Sequence, residues 1–243
     1  MYGKGKGMER LKKKAGELGI SLSDKQLMQF QMYYDMLIEK NKVMNLTAIT
    51  EWEEVVDKHF IDSISLVKAA DLTSGKKILD LGCGAGFPGI PLKIVFPKLS
   101  IVLLDSLNKR ILFLNEVIEK LELEDIKALH GRAEDYAKKP EYREQFDYCV
   151  SRAVANLVTL SEYCIPYVKE GGAFISYKSG KVKEELKEIK KALFLLGGSL
   201  ENVVSFYLPE TEIERNFVVI QKVKKTPKKY PRKAGLPGKE PLK

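Results

Sequence analysis

Cysteine, histidine and tryptophan are scarce in this chain: three, two and one in 243 residues. Cys83, Cys149 and Cys164 are odd in number and scattered, which argues against a disulfide framework and gives no zinc-ligand spacing. With only His59 and His130, proton transfer by imidazole has little to work with. No apolar run approaches the ~18 residues of a membrane span, so no membrane partner is expected. The N-terminus, MYGKGKGMERLKKK, is basic, but no apolar segment follows it, so it does not read as a secretory signal. A reducing cytoplasm is the expected setting.

An even spread of charge is also missing. Residues 221–243 carry nine Lys or Arg and one acid, Glu240, a net +8 that equals the formal charge of the whole chain. Residues 1–14 add a second basic end, with six cations against Glu9. The body between them is acidic. Basic ends on an acidic globule are handles for polyanions, unless they are only solvated tails. The segment TPKKYPRKAGLPGK is more specific than a charge run. It sets Tyr230 among cations, a combination that can stack on unpaired bases. Its prolines, with Pro227 first and Pro241 last in the basic end, discourage regular structure. The segment therefore reads as a handle standing apart from any catalytic centre.

The densest signal lies at residues 77–89, KILDLGCGAGFPG. An apolar strand runs into glycines at alternate positions, Gly82, Gly84 and Gly86, and Pro88 opens a helix. Strand, glycine loop and helix form the entry to a nucleotide-type cofactor site. A second apolar strand, IVLLD, ends in Asp105, where an acid can accept hydrogen bonds from a ribose. Dinucleotide sites prefer G-x-G-x-x-G. Here the pattern is D-x-G-x-G-x-G, beginning at Asp80, and it resembles motif I of S-adenosylmethionine methyltransferases. That cofactor has no phosphate and carries a sulfonium and an ammonium, so an acidic loop suits it better than it suits a pyrophosphate.

The remaining periodicity supports one α/β domain. Helices are expected at 8–19, 23–41 and 51–70, as a helical extension over residues 1–70. In the 23–41 helix, Leu27, Phe30, Tyr34, Leu37 and Ile38 share one face. Strands at 77–81, 101–105, 126–130, 146–151 and 172–177 alternate with helices at 89–96, 108–121, 156–168 and 181–196. Two strands near 201–208 and 216–223 follow with no helix between them. A closing hairpin of this kind predicts a doubly wound, seven-stranded, class I methyltransferase (Rossmann-like) sheet over 71–223, then a basic tail over 224–243.

Further segments carry a closer resemblance: NLTAIT at 45–50, HFIDSI at 59–64, GFPGIPLK at 86–93, LLDSLNKRILFL at 103–114, GRAED at 131–135, SRAVA at 151–155 and KKYPRKAG at 228–235. Together they resemble the RsmG, or GidB, family of bacterial 16S ribosomal RNA guanine-N7 methyltransferases. The resemblance implies S-adenosylmethionine as cofactor and a guanine in the decoding-region loop of small-subunit rRNA as target. It implies cofactor binding at Gly82, Phe87, Ala133, Glu134 and Arg152, joined by Gly84 and Asp105 from the motif reading. RNA contacts are expected from Arg152 and Lys178 at strand ends and from Lys228, Lys229, Arg232 and Lys233 in the tail. A monomer is expected.

The chemistry needs few special residues. N7 of guanine has an in-plane lone pair and no proton, so no side chain need act as a base, and no catalytic residue is expected. After the fourth strand the chain reads Ser151-Arg152-Ala153-Val154, not the Pro-Pro-aromatic loop of exocyclic-amine methylation. No Pro-Cys pair offers the nucleophile of cytosine C5 methylation. Two other readings stand beside this one. One is a methyltransferase for a protein or small molecule, which would not need the basic ends. The other is an RNA-binding module with a degenerate cofactor fold, which would not need the intact glycine motif.

Overall fold

The computed structural model describes residues 4–243 except Ser74, Ala153 and Lys181, with only the backbone of residues 4–6. Ala153 of the SRAVA segment thus lies outside the described residues, as does Lys181 at the start of the expected 181–196 helix. Seven strands form one sheet: β1 (Lys77–Leu81), β2 (Ser100–Asp105), β3 (Ile126–His130), β4 (Phe146–Arg152), β5 (Val168–Lys178), β6 (Gly198–Tyr207) and β7 (Glu214–Lys222). Their order is β3-β2-β1-β4-β5-β7-β6. The first five are parallel, and β7 runs antiparallel between β5 and β6. This is the doubly wound seven-stranded sheet with a closing hairpin that the sequence predicts.

Both faces of the sheet are covered, because alternate residues of the apolar strands point to opposite sides. Ile78, Ile101, Leu103, Val150 and Ile175 enter one core, and Leu79, Leu81, Val102, Cys149 and Phe174 enter the other. The first face is covered by α1 (Lys4–Glu17), α2 (Asp24–Met44), a helical run from α3 (Trp52–Val55) through a π turn (Val56–Ile61) to α4 (Asp62–Ile64), α5 (Gly89–Val95) and α6 (Asn108–Lys120). The second face is covered by α8 (Leu157–Cys164), α9 (Val182–Glu188) and α10 (Lys190–Leu196), with α7 (Ala133–Tyr136) at the strand ends. Leu11, Phe30 and Phe60 of the N-terminal helices lie in the same core as Ile78 and Phe217. The change of pattern near residue 70 is therefore not a gap in packing. Among the described residues no helix is long and apolar enough to cross a membrane.

Three local expectations need correction. The inward face of α2 is centred on Gln29, Phe30, Tyr33 and Leu37, so Tyr33 and not Tyr34 is buried. A phenol reads as half-polar in a periodicity count, and Tyr33 goes inside because its hydroxyl donates to Ala85 O at 2.7 Å. The 181–196 helix is broken at Ile189, between α9 and α10. Residues 223–235 lack regular elements, as the prolines predict, but they pack on the protein, and α11 (Leu236–Lys239) follows them.

Gln26 ties α2 to the sheet layer. Ser23 and Gln26 form a capping box: Ser23 Oγ accepts from Gln26 N, and Gln26 Oε1 accepts from Ser23 N at 2.9 Å. The other end of the same amide donates to Ile94 O at 2.8 Å and Val95 O at 3.1 Å, the last carbonyls of α5. Ser23→Ala removes one cap bond and is expected to cost about 1 kcal/mol. Gln26→Ala also strands two carbonyls and is expected to cost roughly twice that. Urea unfolding of the two variants decides; equal midpoints would mean that the bridge to α5 adds nothing.

Candidate functional site

Strands β1, β2, β3, β4 and β5 end at one edge of the sheet. The order reverses beside β1, which lies between β2 and β4, and open α/β sheets bind ligands there. The chain leaves β1 through Gly82 (φ 73°), Gly84 (φ 58°) and Gly86 (φ 108°), a left-handed run that disfavours a side chain. A Cβ on Gly82 would crowd Val154 Cγ2, an exposed side chain that could shift, so it is chiefly the backbone angle that asks for glycine here. A Cβ on Gly84 would meet nothing within 4 Å, so only its backbone angle requires glycine.

Two strand-end carboxylates hold this loop. Asp105 Oδ2 accepts from Gly84 N at 2.9 Å and from Arg110 at 3.1 Å, and its Oδ1 accepts from Leu107 N at 2.9 Å. Asp80 Oδ2 accepts from Gly89 N at 2.8 Å, at the start of α5. Asp80 is wholly buried, and its Oδ1 has no partner among the described residues. The acid that begins the D-x-G-x-G-x-G pattern thus points behind the loop and holds the start of α5. Burial pushes its carboxyl up to about 7, against the Gly89 N–H and the nearby Arg152, which hold it down.

A cleft of about 450 Å³ opens in front of the loop. It brings together Gly82, Asp105, Ala133 and Glu134, four of the expected cofactor residues, with Arg110, Arg132, Val154, Tyr163 and Gly235. Gly84 joins them through its bond to Asp105. Phe87 and Arg152 do not line this cleft. Phe87 is buried behind the loop, its ring centroid 4.4 Å from that of His59 and 5.3 Å from that of Tyr33. Arg152 lies 5.2 Å from the Phe87 ring centroid and lines a second cleft, also of about 450 Å³, with Lys58, His59, Asp62, Lys178, Glu185 and Arg215. Val154 lines the first cleft and Arg152 the second, so the turn after β4 serves both.

The second cleft is a hydrogen-bonded network. Asp62, 2% exposed, accepts from Arg152 Nη1 at 2.7 Å and from Arg215 Nε at 2.8 Å. Arg152 also donates to Lys58 O at 2.9 Å and lies 3.2 Å from His59 Nδ1. Nδ1 also stands 3.0 Å from Lys58 O, and Nε2 faces Thr47 Oγ1 at 2.9 Å, so both ring nitrogens are engaged. Burial first, then the Arg152 charge, push the His59 imidazole down to about 3. Lys178, expected as an RNA contact, is paired with Glu185 at 2.8 Å and donates to Ala155 O.

The tail is not apart from the site. Gly235 N donates to Glu134 Oε1 at 2.7 Å, and Gly235 lines the first cleft. Tyr230 is buried in the second core. Arg232, expected to contact RNA, holds the buried Glu162 through two parallel bonds, Nε–Oε1 at 2.9 Å and Nη2–Oε2 at 2.7 Å. Arg232 is thus an anchor of the tail on α8. Lys228, Lys229 and Lys233 are exposed. Sequence reasoning missed Arg132, Tyr163 and Gly235 in the first cleft, and Asp62, Glu185 and Arg215 in the second. Of these, Arg132, Gly235 and Asp62 lay within segments that carried a signal, GRAED, KKYPRKAG and HFIDSI, whereas Tyr163, Glu185 and Arg215 did not.

The two shifted groups have opposite effects on stability. His59 has a folded pKa below its unfolded value near 6.5, so its neutral form favours folding above that pH and costs stability as acid is added. Asp80 has a folded pKa above its unfolded value, so it favours folding below about 4 and loses that contribution as pH rises to about 7. Between pH 4 and 6.5 the two slopes oppose. Relative to wild type, Asp80→Asn is expected to lose stability as pH falls through this window, by up to about 1.4 kcal/mol per unit. His59→Gln is expected to gain stability over the same window. Urea titrations at several pH values check both; parallel curves for the three proteins would contradict the assignments.

Comparison with known proteins agrees with this geometry. The family model described as GidB, rRNA small subunit methyltransferase G, matches residues 26–217. The ribosomal RNA small subunit methyltransferase G of Lachnoclostridium phytofermentans is 60% identical over 225 residues, covering 93% of each chain. The protein of the same name from Bacillus cytotoxicus is 52% identical, over 97% of this chain and 98% of its own. Among solved structures, a SAM-dependent methyltransferase from Aquifex aeolicus superposes with a TM-score of 0.53 at 19% identity, over 70% of this chain and 93% of that one. TrmN from Thermus thermophilus gives 0.52 at 16% identity, over 69% and 53%. At such identities these structures speak for the fold, whereas the sequence relatives speak for the family. The chain belongs to the rRNA small subunit methyltransferase G (GidB) family.

Proposed function

We propose that this protein transfers a methyl group from S-adenosylmethionine to N7 of a guanine in 16S ribosomal RNA, in the decoding-region loop, acting as a cytoplasmic monomer. Family membership supports the methyl transfer to small-subunit rRNA. The observation that carries the substrate class is the pairing of two clefts across one turn. The first has the glycine loop, two acids and an open edge. The second is lined by four cations, Lys58, Arg152, Lys178 and Arg215, against two acids, Asp62 and Glu185. A net positive cleft beside a cofactor cleft suits a phosphate-bearing substrate better than a neutral small molecule.

The donor set fits the cofactor. Asp105 and Glu134 stand in the cleft as hydrogen-bond acceptors for hydroxyl and amine groups, and the glycine loop keeps side chains out of the way. When bound, S-adenosylmethionine supplies an electrophilic methyl for in-line displacement. The chain's own work is to position: Asp105 fixes Gly84, Asp80 fixes α5, and Val154 packs against Gly82. His59 stays neutral and is bonded on both nitrogens, so it has no free position for proton transfer. That agrees with a nucleophile that needs no base.

Two measurements test this reading. Mass spectrometry of 16S rRNA from a strain lacking the chain is expected to show the loss of one 7-methylguanosine; an unchanged modification pattern would sink the assignment. In purified protein, Gly82→Ala puts a side chain at a left-handed backbone position beside Val154 and is expected to weaken S-adenosylmethionine binding tenfold or more. His130→Gln is expected to keep turnover within about tenfold, whereas loss of a general acid or base would cost ~10²-fold or more.

A further inference from the structure

Residues 226–240 form a strap across the second face of the sheet, and it has two sides. Its inner side is anchored at several points. Arg143 donates to Thr226 O at 2.8 Å and to Tyr230 O at 3.0 Å. Tyr230 is buried, and Arg232 grips Glu162, itself 1% exposed. Past that grip the strap turns at Gly235 (φ 81°) and delivers the Gly235 N–H to Glu134 in the cofactor cleft. Thr159 of α8 then donates to Pro237 O at 3.3 Å. Its outer side carries Lys228, Lys229 and Lys233, all exposed, with the Lys229 ammonium 5.3 Å from the Tyr230 ring centroid.

We propose that this strap is a wall of the cofactor cleft, positioned by the Arg232–Glu162 pair, and that rRNA phosphates bound on its outer lysines hold it closed, so that RNA and cofactor bind cooperatively. The inference rests on the rRNA substrate reading above. The physical argument is linkage. Glu134 has its carboxylate aimed by a bond to a backbone amide that belongs to the strap. Whatever favours the docked strap favours the aimed Glu134 and hence the cofactor. RNA that binds the lysines only in the docked arrangement has the differential affinity such a shift requires. The effect must be reciprocal: cofactor tightens RNA by the same factor that RNA tightens cofactor.

The test uses S-adenosylhomocysteine and an unmodified 16S rRNA transcript with the full chain. Calorimetry measures S-adenosylhomocysteine affinity with and without RNA, and RNA affinity is measured at several salt concentrations. For wild type, RNA is expected to tighten S-adenosylhomocysteine about fivefold or more. The Lys228→Gln/Lys229→Gln/Lys233→Gln protein is expected to bind S-adenosylhomocysteine normally without RNA, to lose about 2 from the salt slope, and to lose most of the tightening. Arg232→Ala is expected to weaken S-adenosylhomocysteine at least tenfold without RNA, and Arg232→Lys to recover part of that loss. If Arg232→Ala does not fold, Glu162→Gln carries the same arm, because it keeps volume and one acceptor. S-adenosylhomocysteine affinity within twofold of wild type in folded Arg232→Ala or Glu162→Gln would overturn the wall. No tightening by bound RNA in wild type would overturn the coupling. A wild-type protein that binds no 16S rRNA would refute the substrate reading and the coupling with it, while the Arg232 arm still decides the wall.

Discussion

The turn from Gly82 to Gly89 is pinned by two carboxylates, and most of the molecule serves to keep them in place. Asp105 takes the N–H of Gly84 and Asp80 takes that of Gly89. Three left-handed glycines between strand and helix would otherwise be the most mobile part of the site. Tyr33 adds a third point from outside the sheet, donating to Ala85 O. The N-terminal helices thus do more than cover an apolar face, since one of them supplies a hydrogen bond to the glycine loop itself. Asp80 shows what this arrangement costs. A carboxylate with no exposure and one unpartnered oxygen is unfavourable in isolation. The Gly89 bond is the visible compensation.

The same logic explains where the other buried charges lie. Asp57 takes Arg10 at 2.5 Å and Lys14 at 2.6 Å, fixing α1 to the π turn. Asp62, at the far end of that turn, takes Arg152 of β4 and Arg215 of β7. Glu144 takes Lys222 and the Thr226 N–H, and Glu162 takes Arg232. Each pair joins segments distant in sequence at a boundary between layers. Replacing such a pair by apolar residues can be neutral, while removing one partner alone commonly costs 3–5 kcal/mol. These pairs therefore act as registration points more than as a source of net stability. The π turn places two acids of one helical run against different neighbours: Asp57 meets α1, and Asp62 meets the sheet edge.

The sheet was largely legible in the sequence because burial on both faces makes parallel strands read as short apolar runs between helices. KILDL and IVLLD needed no further information. The glycine loop and Asp105 were legible for the same local reason. What was not legible depends on contacts between distant segments. Tyr33 looks no different from Tyr34 until the loop that it bonds is in place. Arg232 reads as a member of a cationic run, and nothing in KKYPRKAG shows that it pairs with the buried Glu162, seventy residues earlier. Arg215 and Glu185 carry no motif at all. The resemblance to a family singled out Arg152, but its partners Asp62, Lys58 and His59 came only with the fold.

That surrounding has a consequence for how charge is arranged around the site. Asp62 lies between two guanidiniums and neutralises only one of them. The Arg152–Asp62–Arg215 cluster thus keeps one positive charge at the mouth of the second cleft, with Lys58, itself paired with Glu54, beside it. Lys178 contributes less, because Glu185 is its partner. The basic C-terminal segment divides in the same way: Lys222 and Arg232 point inward to Glu144 and Glu162, whereas Lys228, Lys229 and Lys233 face solvent. A net charge counted along the sequence therefore overstates the charge available to a polyanion. Electrostatic attraction here depends on which cations the buried acids leave free, and those acids are also the ones that hold the layers in register.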